Sequence, residues 1–159
     1  MDRLLSLLQA NARLTNQQLA VMLGREEKDV EAAIAAYEKA GVIRGYQAVI
    51  DWDKTDSPTV FARIEIKVTP KKDFGFEEIA RTIMDLEQVQ SVSLMSGGYD
   101  LAVTVSGKTF RDIALFVAHR LSPIESVNST ATHFILKKYK ERGIVLEEEV
   151  PDERRMTLL

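Results

Sequence analysis

The spacing of four residues, Thr15, Ala20, Gly24 and Val30, constrains this chain more than any other feature. Thr15-x-x-Gln18 has the form of a reciprocal helix cap. The threonine hydroxyl accepts an orphan N–H, and the glutamine reaches back to the threonine's own N–H. Leu19 and Leu23 give the helix that follows an apolar face, and Gly24 permits a left-handed ending. A further helix is predicted from about Glu26 to Ala40, with Val30, Ile34 and Tyr37 on one stripe, and Gly41 stops it. At this spacing the alanine lets two helices approach, the glycine makes the turn, and the valine fills the core between them. Leu4, Leu5 and Leu8 predict a helix over 2–10. Thr15 to Tyr46 thus reads as a helix-turn-helix, with the β-rich stretch Val42 to Ile50 as a wing or connecting strand. An ordinary three-helix core is the alternative.

The helix that would enter a DNA groove is acidic. Between Arg25 and Lys39 stand three basic residues (Arg25, Lys28, Lys39) and five acidic ones (Glu26, Glu27, Asp29, Glu31, Glu38). Carboxylates in a first turn suit the helix dipole. They suit phosphates badly, because DNA affinity comes largely from cations that release counterions. Residues 1–52 hold six basic and seven acidic residues, and the whole chain has a net charge of −3. No global basic field therefore draws in nucleic acid. A solvated structural face stays open beside the DNA-contacting one.

After Asp51 the composition turns polar and reaches Pro58, so 53–58 is expected to link two domains. The periodicity then changes from helical to alternating. Val60, Ala62, Ile64, Ile66 and Val68 mark a half-buried strand. Phe76, Ile79, Ile83 and Leu86 mark a helix. Val89 to Met95 and Asp100 to Ser106 are strands around a glycine turn. Phe110, Ile113, Val117 and Leu121 mark another helix, and Ser126 to Lys137 the last strand. The order is βαββαβ, the ferredoxin-like arrangement. The expected organisation is α+β: a winged helix-turn-helix over 1–52, a βαββαβ domain over 59–145, and an acidic, frayed tail over 146–159.

Leu101, Val103 and Val105 are expected to face the helices, and Asp100, Ala102, Thr104 and Ser106 the other side. Asn128, Thr130 and Thr132 run in phase with Phe134 and Leu136, and they are assigned to that same helix-free face. Phe61, Phe134 and Leu136 would make the face too apolar for water, so a second sheet is expected to cover it.

Gly97-Gly98-Tyr99-Asp100 joins two strands. Glycines make a hairpin turn readily and let a ligand approach backbone N–H groups. Donors for a carboxylate beside an acid for an ammonium are what a free amino acid requires, and the hydroxyls of Thr130 and Thr132 would add to them. A plain hairpin is the alternative. Lys137, Lys138, Lys140 and Arg142 form a basic run: a solvated strand end, a nucleic-acid contact, or a match for acidic neighbours such as the tail. His119 and His133 are isolated, and His119 is expected on a helix surface.

The chain has no cysteine, so disulfides and thiolate metal sites are excluded, and a reducing cytoplasm suits it. No metal site or cofactor is expected. The polar start Met1-Asp2-Arg3 does not read as a signal peptide, and the longest apolar run, Ile113 to Ala118, is far short of a membrane span. No nucleophile elbow, phosphate loop or dinucleotide fingerprint is present, so an enzyme is not expected.

In order and spacing, several stretches resemble the Lrp/AsnC (feast/famine) family of transcription regulators. They are Leu4-x3-Leu8-Gln9-x-Asn11-Ala12-Arg13-Leu14-Thr15, Leu19-Ala20-x3-Gly24, Val30, and Glu38-x2-Gly41-Val42-Ile43-x-Gly45-Tyr46-x-Ala48. Gly97/Gly98-Tyr99-Asp100-Leu101 and Ser129-Thr130-x-Thr132 before Ile135-Leu136-Lys137 continue the match. The resemblance covers roughly residues 1–145. It implies a winged helix-turn-helix joined to a βαββαβ effector module (the RAM domain), dimers formed through that module, and octamers or larger discs. It implies an amino acid bound between dimers near the turn, with Gly98, Tyr99, Asp100, Thr130 and Thr132 as contacts and Met95 lining the site. The third helix departs from the family pattern, which often has Ser or Thr near its start and arginines in its middle. Here Glu26, Glu27, Asp29, Ala32 and Ala33 stand in that region, so specific base contacts do not carry over. Gln17, Arg25, Lys28, Arg44 and Gln47 are the DNA-contact candidates.

The reading is an amino-acid-responsive regulator: a cytoplasmic homo-oligomer on double-stranded DNA, with a small amino-acid effector and no membrane partner. An oligomeric amino-acid-binding co-regulator with little DNA affinity of its own is the rival.

Overall fold

The Thr15 hydroxyl accepts the Gln18 N–H at 3.2 Å, and the Gln18 side chain accepts the Thr15 N–H at 2.9 Å. This closed box starts α2 (Asn16–Leu23) in the computed structural model, which describes residues 2–57, 59–69 and 75–147. Ahead of it, α1 (Arg3–Ala10) is capped by the Asp2 carboxylate, which takes the Leu4 and Leu5 N–H groups. Gly24 ends α2 at φ 64°, and α3 (Glu27–Lys39) follows. Leu4, Leu8, Leu19, Ala20 and Val30 bury together, with Ile34, Tyr37 and Ile43 packed against them. These helices belong to one of two compact units, Met1–Val49; the other is Ile50–Leu159.

The strand expected over 42–50 does not form: no residue there pairs in a sheet. Among the described residues the first unit is otherwise helical, so an extended segment has no ladder to join. The segment instead wraps the end of α3. The Val42 and Ile43 N–H groups both return to the Tyr37 carbonyl, and the Tyr46 hydroxyl donates to Glu38 at 2.9 Å.

The second unit opens on a 3-10 turn, Trp52–Lys54. It then runs through β1 (Val60–Val68), α4 (Gly75–Met84), β2 (Val89–Leu94), β3 (Leu101–Gly107), α5 (Phe110–Phe116) and β4 (Val127–Ile135). Alternation is why these segments become strands: Ala62, Ile64, Ile66 and Val68 are buried while Arg63 and Lys67 between them are exposed. The four strands form one antiparallel sheet in the order β2-β3-β1-β4. Ile79 and Ile83 of α4, and Ile113 and Phe116 of α5, cover one face. After α5 the chain loosens into a π-helical turn, Val117–Leu121, which brings Leu121 into the core.

The register corrects one expectation. Thr130 pairs with Ile66, Thr132 with Ile64 and Phe134 with Ala62. Directly opposed residues of antiparallel strands share a face. Thr130, Thr132 and Phe134 therefore lie on the helix side, where the Phe134 ring meets Phe110 edge to face at 4.9 Å. The helix-free face carries Arg63, Glu65, Lys67, Thr104, Ser106 and His133, with Phe61 and Ile135 at one end. It is thus mostly polar. Alternation within β4 gives a phase, but only its pairing with β1 says which phase faces the helices.

A short hairpin not expected from the sequence follows: β5 (Lys140–Glu141) and β6 (Ile144–Val145), turning through Arg142 and Gly143 at positive φ. Of the expected linker and tail, Pro58 and 148–159 lie outside the described residues.

Candidate functional site

β3 ends its pairing with β1 at Leu101 and Ile66. Beyond that point the Val68 N–H has lost its ladder acceptor, and the Asp100 carboxylate supplies one through Oδ2 at 2.9 Å. The Asp100 N–H donates to the Ile66 carbonyl at 3.0 Å, and the Met95 N–H donates to the Asp100 carbonyl at 2.8 Å. Between these anchors the chain turns through Gly97, at φ 152°, and Gly98. A Cβ placed on either glycine would meet nothing within 4 Å beyond its chain neighbours, and both glycines are exposed. The Tyr99 hydroxyl accepts from Arg63 Nη2 at 2.8 Å. The turn therefore offers backbone donors and one fixed carboxylate at close quarters, complementary to a carboxylate beside an ammonium.

Met95, Gly97, Gly98, Tyr99 and Asp100 come together in this way. Thr130 and Thr132 do not join them within one chain. They stand two strands from β3, about 10 Å away at the usual strand spacing, and on the helix side. There the Thr130 hydroxyl lies 3.5 Å from that of Ser122. Arg63 was not among the candidates. Its phase on β1 marks it as exposed, but nothing in the sequence pairs it with Tyr99.

In the first unit Gln17, Arg25, Lys28, Arg44 and Gln47 are all exposed. Arg25 acts electrostatically on Asp2. The Tyr37 hydroxyl donates to the Asp2 carboxylate, and chiefly this contact, aided by the Leu4 and Leu5 N–H groups and by Arg25, holds that carboxyl below the usual range. The same contact pushes the Tyr37 phenol up. Arg44 folds back over the end of α3: a Cβ on Gly41 would come within 3.0 Å of its guanidinium carbon. A cation there complements the helix dipole. Lys28 projects from α3 among Glu26, Glu27, Asp29 and Glu31, all exposed. The acidic character read from the sequence is thus displayed at the surface.

The basic run meets acidic neighbours. Lys137 pairs with Glu147 at 3.0 Å and Lys138 with Glu141 at 2.9 Å. His119 is exposed on the π-helical turn, and His133 lies 3.6 Å from Glu65. A shallow pocket of about 80 Å³, not foreseen, lies between Trp52, Phe61, Phe110, Leu136 and Lys138, with the Lys138 ammonium 4.1 Å above the Phe61 ring. Among the described residues no group of three His, Cys, Asp or Glu could hold a metal, and no helix is long and apolar enough to cross a membrane.

Two family models match the chain: a winged helix-turn-helix DNA-binding model over residues 3–44 and the Lrp/AsnC ligand binding domain over 61–145. The uncharacterized HTH-type transcriptional regulator YugG of Bacillus subtilis is 45% identical over 152 residues, covering 95% of this chain and 92% of its own. The leucine-responsive regulatory protein of Haemophilus influenzae is 26% identical, covering 91% and 86%. These relatives are transcriptional regulators, not enzymes. Among solved structures, a transcriptional regulator of Neisseria meningitidis in complex with L-Met superposes with a TM-score of 0.71 at 23% identity, covering 89% of this chain and 93% of that one. E. coli AsnC superposes with a TM-score of 0.68 at 20% identity, covering 91% and 97%.

Proposed function

The chain belongs to the Lrp/AsnC family of helix-turn-helix transcriptional regulators, and from that premise we propose an amino-acid-responsive regulator acting as a cytoplasmic homo-oligomer. Its head, 1–52, contacts double-stranded DNA, and a linker over 53–58 joins it to the effector and assembly module over 59–145. The observation that carries the effector assignment is the turn itself. The N–H groups of two exposed glycines and the Asp100 carboxylate match the two charged ends of a free amino acid. The L-Met complex of the Neisseria regulator and the name of the Haemophilus relative point to the same ligand class.

The module is the assembly unit, forming dimers and then octamers. Exposed apolar groups around Leu136, which is 84% exposed, support this: Trp52, Phe110, Phe134 and Tyr139 are exposed as well. An oligomer presents several heads at once, so heads of modest affinity gain avidity. The effector acts by binding two assembly states unequally. Thr130 and Thr132 lie on the helix side, so they contact an effector only if it is shared with a second chain.

Thermal-shift assays with each protein amino acid in turn, followed by sedimentation with and without the strongest, test this reading. A raised melting temperature together with an altered sedimentation coefficient is expected. No shift with any amino acid removes the effector assignment. The exposed carboxylates of α3 favour the rival, an oligomeric amino-acid-binding co-regulator with little DNA affinity of its own.

A further inference from the structure

Tyr99 is the one aromatic side chain in the 95–100 loop, which also holds Gly97 and Gly98. Its hydroxyl is engaged by a side chain of β1. It accepts from Arg63 Nη2 at 2.8 Å, and Arg63 stands in the sheet row of Thr104 and His133. Val68, which the Asp100 carboxylate engages, lies further along the same strand. At about 3.3 Å per residue, roughly 16 Å of strand separates Arg63 from Val68. The phenol is therefore drawn back along the helix-free face of β1. With the ring there, the space beside Gly97 is open. Glu65, the acidic residue next in phase on β1, is set against His133 at 3.6 Å.

We infer that Arg63 is a positioning residue for the effector turn: it holds Tyr99 along β1 and so keeps the Gly97 and Gly98 N–H groups open to a ligand carboxylate. This rests on the amino-acid reading above. Without the guanidinium the phenol is free to rotate about its Cα–Cβ bond and cover the glycines. Arg63 acts through Tyr99 and does not touch the ligand.

The test uses the full chain and, as probe, the amino acid that gives the largest thermal shift. Its Kd is measured by calorimetry for the unaltered protein, Arg63→Met, Tyr99→Phe and the double variant. Each single change is expected to weaken binding about five- to tenfold, within the net range of one ordinary hydrogen bond. The double variant is expected to be no weaker than either single one, since both remove the same contact. Arg63→Lys, which keeps a cationic donor, should recover most of the affinity, and ligand-free melting temperatures should agree. Losses that multiply in the double variant would overturn the inference, because Arg63 would then act on the ligand directly. An unchanged Kd in folded Tyr99→Phe overturns it even if Arg63→Met fails to fold. Failure of the underlying reading looks different: the unaltered protein then binds no amino acid, and both ideas fall together.

Discussion

The Asp100 carboxylate accepts the Val68 N–H at 2.9 Å, just where the β1–β3 ladder runs out. The residue suited to an effector's ammonium therefore also closes the end of a strand pair.

Alanine at this position removes both roles, whereas asparagine separates them, since its carbonyl oxygen still accepts the Val68 N–H. Asp100→Asn is expected to melt close to the unaltered protein and to lose the amino-acid thermal shift. Asp100→Ala is expected to lose the shift and about 1 kcal/mol of stability, because a part-buried N–H is left without its acceptor. Denaturant unfolding with and without ligand reads both. A full ligand shift in Asp100→Asn would place the ammonium elsewhere.

Thr15 and Gln18 satisfy two orphan N–H groups reciprocally. Thr15→Ala is expected to destabilise the helical unit by about 1 kcal/mol, and Thr15→Ser by much less. Unfolding followed by circular dichroism checks this. Equal stability of Thr15→Ala and the unaltered protein would mean that the box contributes nothing.

The Asp2–Tyr37 contact links the stability of the first unit to pH at both ends. The Asp2 carboxyl is lowered, so its contribution is present above the ordinary carboxylate pKa and is lost as pH falls through the lowered value. The Tyr37 phenol is raised, so its contribution is present below the ordinary phenol value of 10.0 and is lost as pH rises through the raised one. Tyr37→Phe is expected to flatten the melting profile in both windows. A profile unchanged at both ends would show that the contact carries no linkage.

Glu27 and Glu31 are exposed on α3 beside Lys28. Replacing both by Gln is expected to tighten DNA binding without changing sequence preference, if their charges only repel phosphates. Lys28→Ala is expected to weaken binding on all sequences alike. Fluorescence anisotropy on matched and scrambled duplexes distinguishes these outcomes. Loss of preference in the Gln variant would mean that the carboxylates read bases, as by accepting from cytosine.

Much of the fold was legible because local chemistry fixes it. The Thr15 box, the Gly24 ending and the Val30 position follow from sequence spacing, and all three stand in the structure. The alternation of Leu101, Val103 and Val105 likewise marks the buried face. Where the outcome depended on pairing between distant segments, the sequence was silent. Phe61 and Phe134 are both aromatic strand residues, yet they lie on opposite faces, because the β1–β4 register sets Phe134 against Ala62. Val42 to Ile50 has β-rich composition, but among the described residues it pairs with no strand. The turn at Gly97 and Asp100 was legible as a glycine turn between two strands. Its anchoring to Val68 and Arg63 was not, since those contacts span the sheet and leave no spacing signal.

The most direct measurement is a mobility-shift titration of the intact protein on the DNA upstream of its own gene, at low and raised salt, with and without the amino acid that gives the largest thermal shift. Binding at low salt is expected, with a shallow salt slope per head, far tighter than for an isolated 1–52 head, and altered by the amino acid. No DNA affinity at low salt, with or without the amino acid, would contradict the regulator reading of this chain and leave the co-regulator in its place.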